Sequence, residues 1–556
     1  MINSVSLKFG SSEGEPPLTI PRAAVTVIVG PNYSGKSKLI SEIVARCTYG
    51  QPQAGEVIID NISFEGLSKE SATNYMDAAI VPPKEGQRQH AGHVYIDTGK
   101  SNRLANYEKT ISALIDPATG LNEYTSNYLS SRILTLTGKN RISLIDQQSG
   151  GDLQISATTS FQKLFRNDKL RAALSEIVFK AFGLYLVVDP TNLGNLRLRL
   201  SAEKPSTPEI ERGLSQASVQ FHASAIDIAL ASDGAKAFVG MLSEIWAGAP
   251  EILFVDEPEA FLHPHLAFLL GREVAQSMAA TGKQMFASTH SPDFLMGCVQ
   301  SGVDVNVIRL TYRKGISTAR MLPSADLVKL MRNPLLRSAN VLSALFYESV
   351  VVTEADPDRV FYQEINERLL FANDARGIDN CRFLNAQNKQ TIPTIIKPLR
   401  DLGIPAAGIF DIDVVKDGGK VATRLMDSGF VPSLSQHSMN THRISLLSAL
   451  TASGKDFKKD GGINVLSGAD KQAAEDFLAQ LSLYGLFAIP GGELESWLQK
   501  LGIVGHGPTW LIPMLECMGE DAIAPGYVGP EAGDVWDFIG GVRAWLTDEK
   551  RRGIPS

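Results

Sequence analysis

The sequence is poor in cysteine and lacks a long apolar run. Its four cysteines have no paired spacing, which indicates neither a zinc site nor a disulfide framework and fits a reducing cytosol. They are Cys47, Cys298, Cys381 and Cys517. No run of about eighteen apolar residues is present, so we predict no membrane span. The amino terminus has neither the basic start nor the apolar core of a signal peptide, and we therefore expect a cytoplasmic protein.

The sequence also has no excess of positive charge. The formal net charge of its 556 residues is −7, so binding to nucleic acid would require a local basic surface or bound metal. Residues 309–337 contain seven basic side chains and one acid, Asp326. This stretch is either a solvated connector or a surface for DNA, and both interpretations remain open. The length predicts roughly two to four domains, each able to bury a core.

A strand, a glycine-rich turn and a helix follow one another near the amino terminus. The apolar run 25–29 precedes Gly30-Pro31-Asn32-Tyr33-Ser34-Gly35-Lys36-Ser37, and a helical pattern follows. In this context Gly-x-x-x-x-Gly-Lys-Ser is a P-loop, because its glycines let backbone N–H groups turn toward phosphates at a helix amino terminus. We predict that Lys36 reaches the β- and γ-phosphates of ATP and that Ser37 binds Mg²⁺. The other residues predicted to bind the phosphates are Gly30, Pro31, Asn32, Ser34 and Gly35.

A second motif has four apolar residues ahead of two adjacent carboxylates. Residues 252–255 lead directly into Asp256 and Glu257. This pattern is typical of a buried parallel strand that ends at the sheet edge where open α/β sheets bind ligands. It resembles a Walker B strand. We predict that Asp256 holds Mg²⁺ and that Glu257 orients the water that attacks the γ-phosphate.

Two further motifs lie on either side of this strand. Residues 226–236 place Ser232 and Gly234 at the start of a helical run and resemble the signature motif of ABC-type ATPases. In that family the Ser-x-Gly turn binds the γ-phosphate held by a second subunit, so the resemblance implies a homodimer or a higher oligomer. Residues 284–290 are predicted to form a strand that ends in His290, which matches the family's switch histidine beside the γ-phosphate.

The P-loop and the signature motif are far apart in the sequence. The intervening span has room for a compact helical insert within about residues 85–215, but not for the arms of a long coiled-coil ATPase. Within the span we predict a β-hairpin from 132–138 and 141–145, and a helix over 160–182. Gln147 and Gln148 are both candidates for the glutamine that contacts the metal in ABC-type ATPases.

In the second half of the chain two apolar strands each end in carboxylates. One run ends at Glu354, with Asp358 four residues later, and another ends at Asp411-Ile412-Asp413. Alternate residues of a strand face the same side, so Asp411 and Asp413 are expected to point at the site that Glu354 faces. Converging carboxylates repel one another unless a divalent cation lies among them. The pattern therefore predicts a Mg²⁺ or Mn²⁺ site.

This order of strand, glutamate, helix, strand and Asp-x-Asp resembles the TOPRIM domain, the magnesium-dependent fold of topoisomerases, primases and certain nucleases. An ABC-type ATPase followed by such a domain resembles the OLD-family ATP-dependent endonucleases, which include the nuclease subunits of Gabija-type bacterial antiphage systems. The resemblance implies that Glu354, Asp411 and Asp413 are catalytic metal ligands, with Asp358 as a further ligand. The family glutamate is usually followed by glycine, where this chain has Ala355.

A later segment completes the resemblance. Residues 489–495 are similar to the family's carboxyl-terminal Gly-x-x-Glu segment, which supplies a second group of metal ligands. Glu493 and Glu495 both fit, and Glu495 is favoured as the metal ligand. The family's late catalytic lysine has no clear counterpart, Lys500 being the candidate.

Together the motifs predict an α/β protein with two domains. An ABC-type P-loop ATPase domain with a helical insert occupies residues 1–345, and a TOPRIM α/β domain occupies residues 346–556. The predicted function is ATP-dependent and metal-dependent cleavage of DNA, and the resemblance implies a role in antiphage defence. The expected partners are DNA and further copies of the chain, with an accessory defence protein as a further candidate and no membrane.

An alternative of a different class is a non-cutting ATP-dependent clamp or sensor that binds DNA. Its TOPRIM carboxylates would bind metal without hydrolysis. The intact Asp411-x-Asp413 pair favours the nuclease, whereas the missing lysine favours the clamp. A primase or topoisomerase is a third alternative, for which neither a tyrosine nucleophile nor a nucleotide-accepting site can be identified.

Overall fold

The computed structural model describes residues 1–84, 90–99, 101–138 and 140–555. The chain forms two compact units, Met1–Val328 and Lys329–Ser556. The expected domain boundary after residue 345 lies inside the second unit. Residues 85–89, where the expected insert begins, lie outside the described residues.

The first unit mixes strands and helices along its whole length. Its strands are β1 (Ile2–Leu7), β2 (Thr19–Pro21), β3 (Val25–Val29), β4 (Ile59–Phe64), β5 (His93–Asp97), β6 (Asn102–Asn106), β7 (Ile133–Leu136), β8 (Gln148–Ser149), β9 (Tyr185–Asn192), β10 (Asn195–Ser201), β11 (Ile226–Asp227), β12 (Ile252–Asp256), β13 (Gln284–Ser288), β14 (Val305–Arg313) and β15 (Ile316–Leu322). Its helices are α1 (Lys36–Tyr49), α2 (Lys69–Ala79), α3 (Tyr107–Ile115), α4 (Leu121–Asn127), α5 (Ser160–Arg166), α6 (Asp168–Phe182), α7 (Pro208–Arg212), α8 (Gln216–Ser224), α9 (Asp233–Ala247), α10 (Pro264–Thr281) and α11 (Pro292–Val299). Helix α12 (Ser324–Arg332) spans the division between the units.

A six-stranded sheet lies at the centre of the first unit. Its order is β15-β14-β3-β13-β12-β7, with β15 antiparallel to β14 and the other neighbours parallel. All five residues of β3 and of β13 are buried. Burial on both faces explains why these strands are continuous apolar runs rather than alternating ones.

The segment expected as a β-hairpin has a different structure. Strand β7 pairs in parallel with β12, and residues Ile142–Ile145 form a 3₁₀-helix. The hairpin prediction is wrong because the partner of β7 lies more than a hundred residues away in the sequence, where local alternation carries no information. The expected helix over 160–182 is two helices, α5 and α6. Asn167 separates them, and its side-chain oxygen accepts a hydrogen bond from the Leu170 N–H at the start of α6.

The insert is not purely helical. Strands β8 to β11 form an antiparallel sheet in the order β11-β10-β8, with β9 also paired to β10. Two smaller antiparallel sheets, β2-β1-β4 and β5-β6, complete the strands of this unit. The expectation of an α/β protein is confirmed, while the description of the insert as helical is corrected to a mixed one.

The second unit is built on a four-stranded, fully parallel sheet. Its strands are β16 (Ser349–Thr353), β17 (Cys381–Asn385), β18 (Ala406–Phe410) and β19 (Leu486–Ala488), in the order β17-β16-β18-β19. Its further helices are α13 (Pro334–Ser338), α14 (Asp356–Phe371), α15 (Ile392–Asp401), α16 (Lys420–Ser428), α17 (Ser433–Ala452), α18 (Gly468–Ser482), α19 (Pro508–Met518) and α20 (Asp534–Thr547).

The core of the second unit explains the position of its carboxylates. Trp510 of α19 and Trp536 of α20 are almost fully buried, in one apolar cluster with residues of α14. All residues of β16 and β18 are buried too, so the polar side chains that follow them emerge together at one edge of the sheet. None of the described helices is long and apolar enough to cross a membrane.

Candidate nucleotide and metal sites

The P-loop connects β3 to α1, and two of its glycines have backbone angles that favour glycine. Gly30 has φ 141°, and a Cβ there would lie 2.1 Å from the backbone oxygen of Leu310. Gly35 has φ 94° and is the N-cap of α1. Any other residue would strain the loop or collide with the neighbouring strand. The local sequence therefore determines the conformation that a phosphate-binding loop requires.

Lys36 is folded inward under this loop. Its Nζ donates hydrogen bonds to the backbone oxygens of Gly30 (2.9 Å) and Pro31 (2.7 Å). Burial lowers the pKa of Lys36 to about 8, although Asp256 and Glu257 oppose the shift. The buried Ser34 Oγ has no hydrogen-bond partner. A bound phosphate would supply a partner for that hydroxyl and a counter-charge for the ammonium, so these residues fit a nucleotide.

Ser37 and Asp256 meet although they lie 219 positions apart in the sequence. The Ser37 Oγ donates to Asp256 Oδ1 over 3.2 Å, and the Ser288 hydroxyl contacts the same oxygen. Asp256 and Ser288 are opposite each other in the β12/β13 register. A hydroxyl and a carboxylate beside the P-loop lysine are the protein ligands that P-loop ATPases use for Mg²⁺, and the arrangement fits that ion.

Glu257 lies in a strained turn immediately after β12. Its φ is 52°, its N–H donates to the Ser288 oxygen over 2.8 Å, and its side chain is exposed. The sequence prediction missed a buried residue that holds this turn, Arg141. Its Nη1 donates to the Glu257 backbone oxygen over 2.5 Å and its Nη2 donates to that of Asp256. A fully buried guanidinium therefore fixes the main chain that carries both predicted Walker B carboxylates.

An Arg141→Ala variant tests whether this contact positions Glu257. We expect ATP affinity to change little and the rate of hydrolysis to fall by about 10²-fold, because small displacements of a catalytic group have effects of that size. The measurements are nucleotide binding and steady-state ATPase kinetics, with Arg141→Lys expected to recover part of the rate. Arg166→Ala is the matched control, since Arg166 binds only backbone oxygens of the insert. Equal losses in both variants would contradict the positioning role.

His290 follows β13 and lies beside a second carboxylate. Its N–H donates to Glu259 Oε1 over 3.0 Å. Loss of solvent around the ring, and after it the charge of Lys36, lower the pKa of His290. Burial raises the pKa of Glu259. His290 is therefore neutral near pH 7 and can exchange a hydrogen bond at the P-loop without carrying charge there.

The two signature residues have separate structural roles. Ser232 is exposed and caps α9 by accepting a hydrogen bond from the Ala235 N–H over 3.3 Å. Gly234 is buried, and a Cβ there would lie 2.5 Å from the backbone oxygen of Phe261. The turn thus offers an exposed hydroxyl at a helix amino terminus, whereas the glycine is required for close packing against the loop after β12.

The candidate glutamines are held within the insert. Gln148 Oε1 accepts from the Phe161 N–H over 3.1 Å, and Gln147 Oε1 accepts from the Asn192 amide over 3.1 Å. Neither of these hydrogen bonds joins a glutamine to the P-loop, so the metal-contact role remains a prediction for both.

The second unit brings three predicted carboxylates together. Glu354 follows β16, and Asp411 and Asp413 follow the neighbouring β18; one oxygen of each lies within 4.8 Å of the others. The Asp411 N–H also donates to Glu354 Oε1 over 2.9 Å. Strand alternation was the wrong reason for this convergence, because β18 ends at Phe410 and a 3₁₀-helix over Ile412–Lys416 carries Asp413.

The electrostatics of this cluster favour a cation. Burial, and then the charge of Asp411, raise the pKa of Glu354 to about 8. Burial raises the pKa of Asp411 as well, and raises that of Asp358 to about 7. Asp358 lies in the first turn of α14, where its Oδ2 accepts from the Ala355 N–H over 3.2 Å. A divalent ion would stabilise the charged forms of all these groups, and their oxygen donors fit Mg²⁺ or Mn²⁺.

Two lysines that the sequence prediction missed lie at these carboxylates. Lys458 Nζ is 2.7 Å from Asp411 Oδ2 and 3.7 Å from Asp413 Oδ2. Lys389 Nζ is 2.9 Å from Asp413 Oδ1. The proposed Lys500 instead pairs with Glu531 on the surface. Lys458 comes from the loop between α17 and α18, a region without a recognisable motif, and so only the three-dimensional structure shows its position.

A second group of candidate ligands adjoins the first. One ligand atom of each of Glu493, Glu495 and His506 lies within 4.8 Å of the others. The structure therefore places both alternatives from the Gly-x-x-Glu segment in one cluster, together with a histidine that the sequence prediction did not include. Lys458 Nζ lies 4.0 Å from Glu493 Oε2 and so separates this group from Asp411.

The basic stretch 309–337 is not a single exposed surface. Arg309 lies in β14 and is buried, and burial lowers the pKa of Arg320 in β15. The remaining basic residues are divided between the two units. The stretch does not carry the assignment of a DNA-binding surface.

Comparison with known proteins supports the ATPase assignment. Residues 97–296 match a family described as "AAA domain, putative AbiEii toxin, Type IV TA system". This range contains the signature, Asp256, Glu257 and His290. Comparison with curated proteins found no matching relative.

Several solved structures of SMC heads are similar to the chain at low identity. An SMC head bound to the C-winged helix domain of ScpA has a TM-score of 0.33 and 16% identity, over 59% of this chain and 99% of that one. The SMC head domain from Thermotoga maritima has a TM-score of 0.30 and 16% identity, over 58% and 99%. A head with an extended coiled coil from Pyrococcus furiosus has a TM-score of 0.29 and 15% identity, over 60% and 98%. The family match and the P-loop geometry together identify a nucleotide-binding ATPase domain of the ABC-like type in the first unit.

Proposed function

We propose that this protein is an ATP-hydrolysing, divalent-metal-dependent DNA endonuclease of the OLD-family type. In this proposal residues 1–345 form the ATPase domain and residues 346–556 form a TOPRIM nuclease domain. The observation that carries the nuclease proposal is the convergence of Glu354, Asp411 and Asp413 with Lys458 at the edge of a parallel sheet. Lys458 also removes the main argument for a non-cutting clamp, which was the lack of a candidate lysine.

The ATPase residues divide the work between binding and hydrolysis. Lys36 and the backbone N–H groups of the P-loop bind the phosphates, while Ser37 and Asp256 hold Mg²⁺. Glu257 orients the attacking water from the turn that Arg141 and Ser288 fix. His290 contributes a neutral hydrogen-bonding group beside Lys36.

In the second unit Glu354, Asp411 and Asp413 hold Mg²⁺ or Mn²⁺, with Asp358 and Glu495 as further ligands. The bound cation polarises the phosphate, activates water and stabilises the leaving oxygen of the cut strand. Lys458 keeps a positive charge at the same place, because its hydrogen bond to Asp411 and the nearby carboxylates raise its pKa against the effect of burial. It can therefore pair with a phosphate oxygen of the DNA once a cation has taken its place on Asp411.

The biological setting follows from the OLD-family resemblance. We infer a cytoplasmic protein of bacterial antiphage defence that acts on DNA as a homo-oligomer, with an accessory defence protein as a candidate partner. The oligomer is supported by the exposed Ser232 at the start of α9, which can reach a nucleotide bound by another subunit.

A cleavage assay tests the nuclease directly. Purified protein is incubated with supercoiled and with linear DNA, each with and without Mg²⁺, Mn²⁺ and ATP. Nicked or linearised product that requires a divalent cation is the expected result. Absence of product under every condition, from protein that binds DNA and hydrolyses ATP, would favour the clamp instead.

Mixing two inactive variants tests the shared nucleotide site. Lys36→Ala subunits lack phosphate binding and Ser232→Arg subunits lack a functional signature, so each homo-oligomer should be inactive in ATP hydrolysis. A mixture should recover activity at the composite site that combines an intact P-loop with an intact signature. The measurement is ATP hydrolysis after subunit exchange has been verified, and no recovery in such a mixture would count against action across the interface.

A further inference from the structure

The group formed by Glu493, Glu495 and His506 differs chemically from the Glu354 cluster. Glu495 belongs to the 3₁₀-helix Leu494–Ser496 after β19, and His506 lies in the turn before α19. One ligand atom of each residue lies within 4.8 Å of the others. The Glu354 cluster contains only carboxylates, whereas this one contains two carboxylates and an imidazole nitrogen.

The side chain of Glu493 lacks a partner for one of its oxygens. Glu493 is 8% exposed, and its buried Oε2 accepts no hydrogen bond. The nearest cationic atom, Lys458 Nζ, is 4.0 Å away, which is beyond hydrogen-bond distance. A buried carboxylate oxygen without a partner is costly, and a cation bound between Glu493 and its neighbours would remove that cost.

The other two side chains are already oriented toward each other. Glu495 Oε1 accepts a hydrogen bond from the Gly507 N–H over 2.7 Å and lies 2.9 Å from His506 Nδ1. The His506 side chain is 74% exposed, so its ring can rotate without rebuilding the core. An ion that enters from solvent can therefore meet one nitrogen and two carboxylate oxygens with little rearrangement.

From this donor set we propose that Glu493, Glu495 and His506 form a separate binding site for a divalent transition-metal ion, which it binds in preference to Mg²⁺. Magnesium is held almost entirely by oxygen ligands, whereas an imidazole nitrogen increases affinity for Mn²⁺ and for the later first-row ions. The all-carboxylate cluster at Glu354 has no such preference for nitrogen-binding ions. The two clusters would thus hold different cations on either side of Lys458.

This inference deepens the proposed nuclease site, and its test does not depend on cleavage. Full-length protein is titrated with Mn²⁺ at fixed excess Mg²⁺, and the bound ion is observed by pulsed electron paramagnetic resonance. The expected result is a Mn²⁺ ion that Mg²⁺ does not displace and that shows coupling to an imidazole ¹⁴N nucleus. Absence of ¹⁴N coupling, or complete displacement of Mn²⁺ by Mg²⁺, would overturn the proposal.

Variants assign the signal to this cluster. His506→Ala should remove the ¹⁴N coupling and weaken Mn²⁺ binding by at least about tenfold, and His506→Gln should do the same without a change in side-chain bulk. His437→Ala, an exposed histidine of α17, is the matched control and should leave the signal unchanged. Asp411→Ala should also keep the ¹⁴N coupling, because it alters only the carboxylate cluster. Persistence of the coupling in both His506 variants would place the ion elsewhere.

The outcomes separate this inference from the proposed function. A ¹⁴N-coupled Mn²⁺ in a protein that never cuts DNA would support the cation site and count against the nuclease. Metal-dependent cleavage by a protein without that coupling would support the nuclease and refute the nitrogen-containing site.

Discussion

DNA cleavage by an Asp411→Ala variant is expected to fall by about 10³-fold or more, while basal ATP hydrolysis stays near that of the wild type. The substitution removes an oxygen that lies among Glu354, Asp413 and Lys458, so it both weakens cation binding and removes charge stabilisation at the transferring phosphate. Stabilisation of this kind amounts to several kcal/mol, and each factor of ten in rate corresponds to about 1.4 kcal/mol. The measurements are initial rates of DNA cleavage and of ATP hydrolysis on the same preparation.

Asp356→Ala is the matched control for this variant. Asp356 is close in sequence to Glu354, but its side chain is exposed and pairs with Arg359 over 2.8 Å. A much smaller loss of cleavage is therefore expected. If Asp411→Ala cuts DNA normally while Asp356→Ala does not, the metal has been assigned to the wrong carboxylates. If both variants alter ATP hydrolysis and neither alters cleavage, the TOPRIM assignment fails.

The second large effect concerns Glu257. A Glu257→Gln variant is expected to bind ATP as tightly as the wild type and to hydrolyse it at least about 10²-fold more slowly, because the amide cannot polarise the attacking water. Lys36→Ala should instead lose tight ATP binding, since the ammonium held beneath Gly30 and Pro31 is the charge that meets the phosphates. Equilibrium nucleotide binding and single-turnover hydrolysis distinguish the two. Normal turnover by Glu257→Gln would refute the Walker B assignment.

The features that could be predicted from sequence are those encoded within a single short segment. The P-loop is contiguous, and its glycines, lysine and following helix give it a recognisable pattern. The carboxylates at Glu354 and Asp411 could be predicted to meet because each follows a buried apolar strand, and parallel strands end at a common edge. Even there the detailed reason differed, because a 3₁₀-helix rather than strand alternation carries Asp413.

The missed residues come from segments whose partners are distant in sequence. Arg141 was interpreted as the start of a hairpin strand, but it is buried beneath a turn more than a hundred positions away. Lys458 and His506 lie in irregular loops, where neither periodicity nor spacing indicates which side chains will meet. Basic and histidine residues of this kind are common on surfaces, so only tertiary contacts separate them from ordinary solvent-exposed groups.

The close approach of Gly234 to Phe261 has a consequence for how the two motifs can be altered by engineering. Because the Phe261 backbone oxygen would lie 2.5 Å from a Cβ at position 234, neither segment can be replaced without regard to the other. A chimaera that takes the signature helix from one protein and the loop after Asp256 from another would create an overlap of backbone with side chain unless position 234 stays glycine. The two segments should therefore be exchanged as one cassette, although they are separated by the whole of α9 and β12.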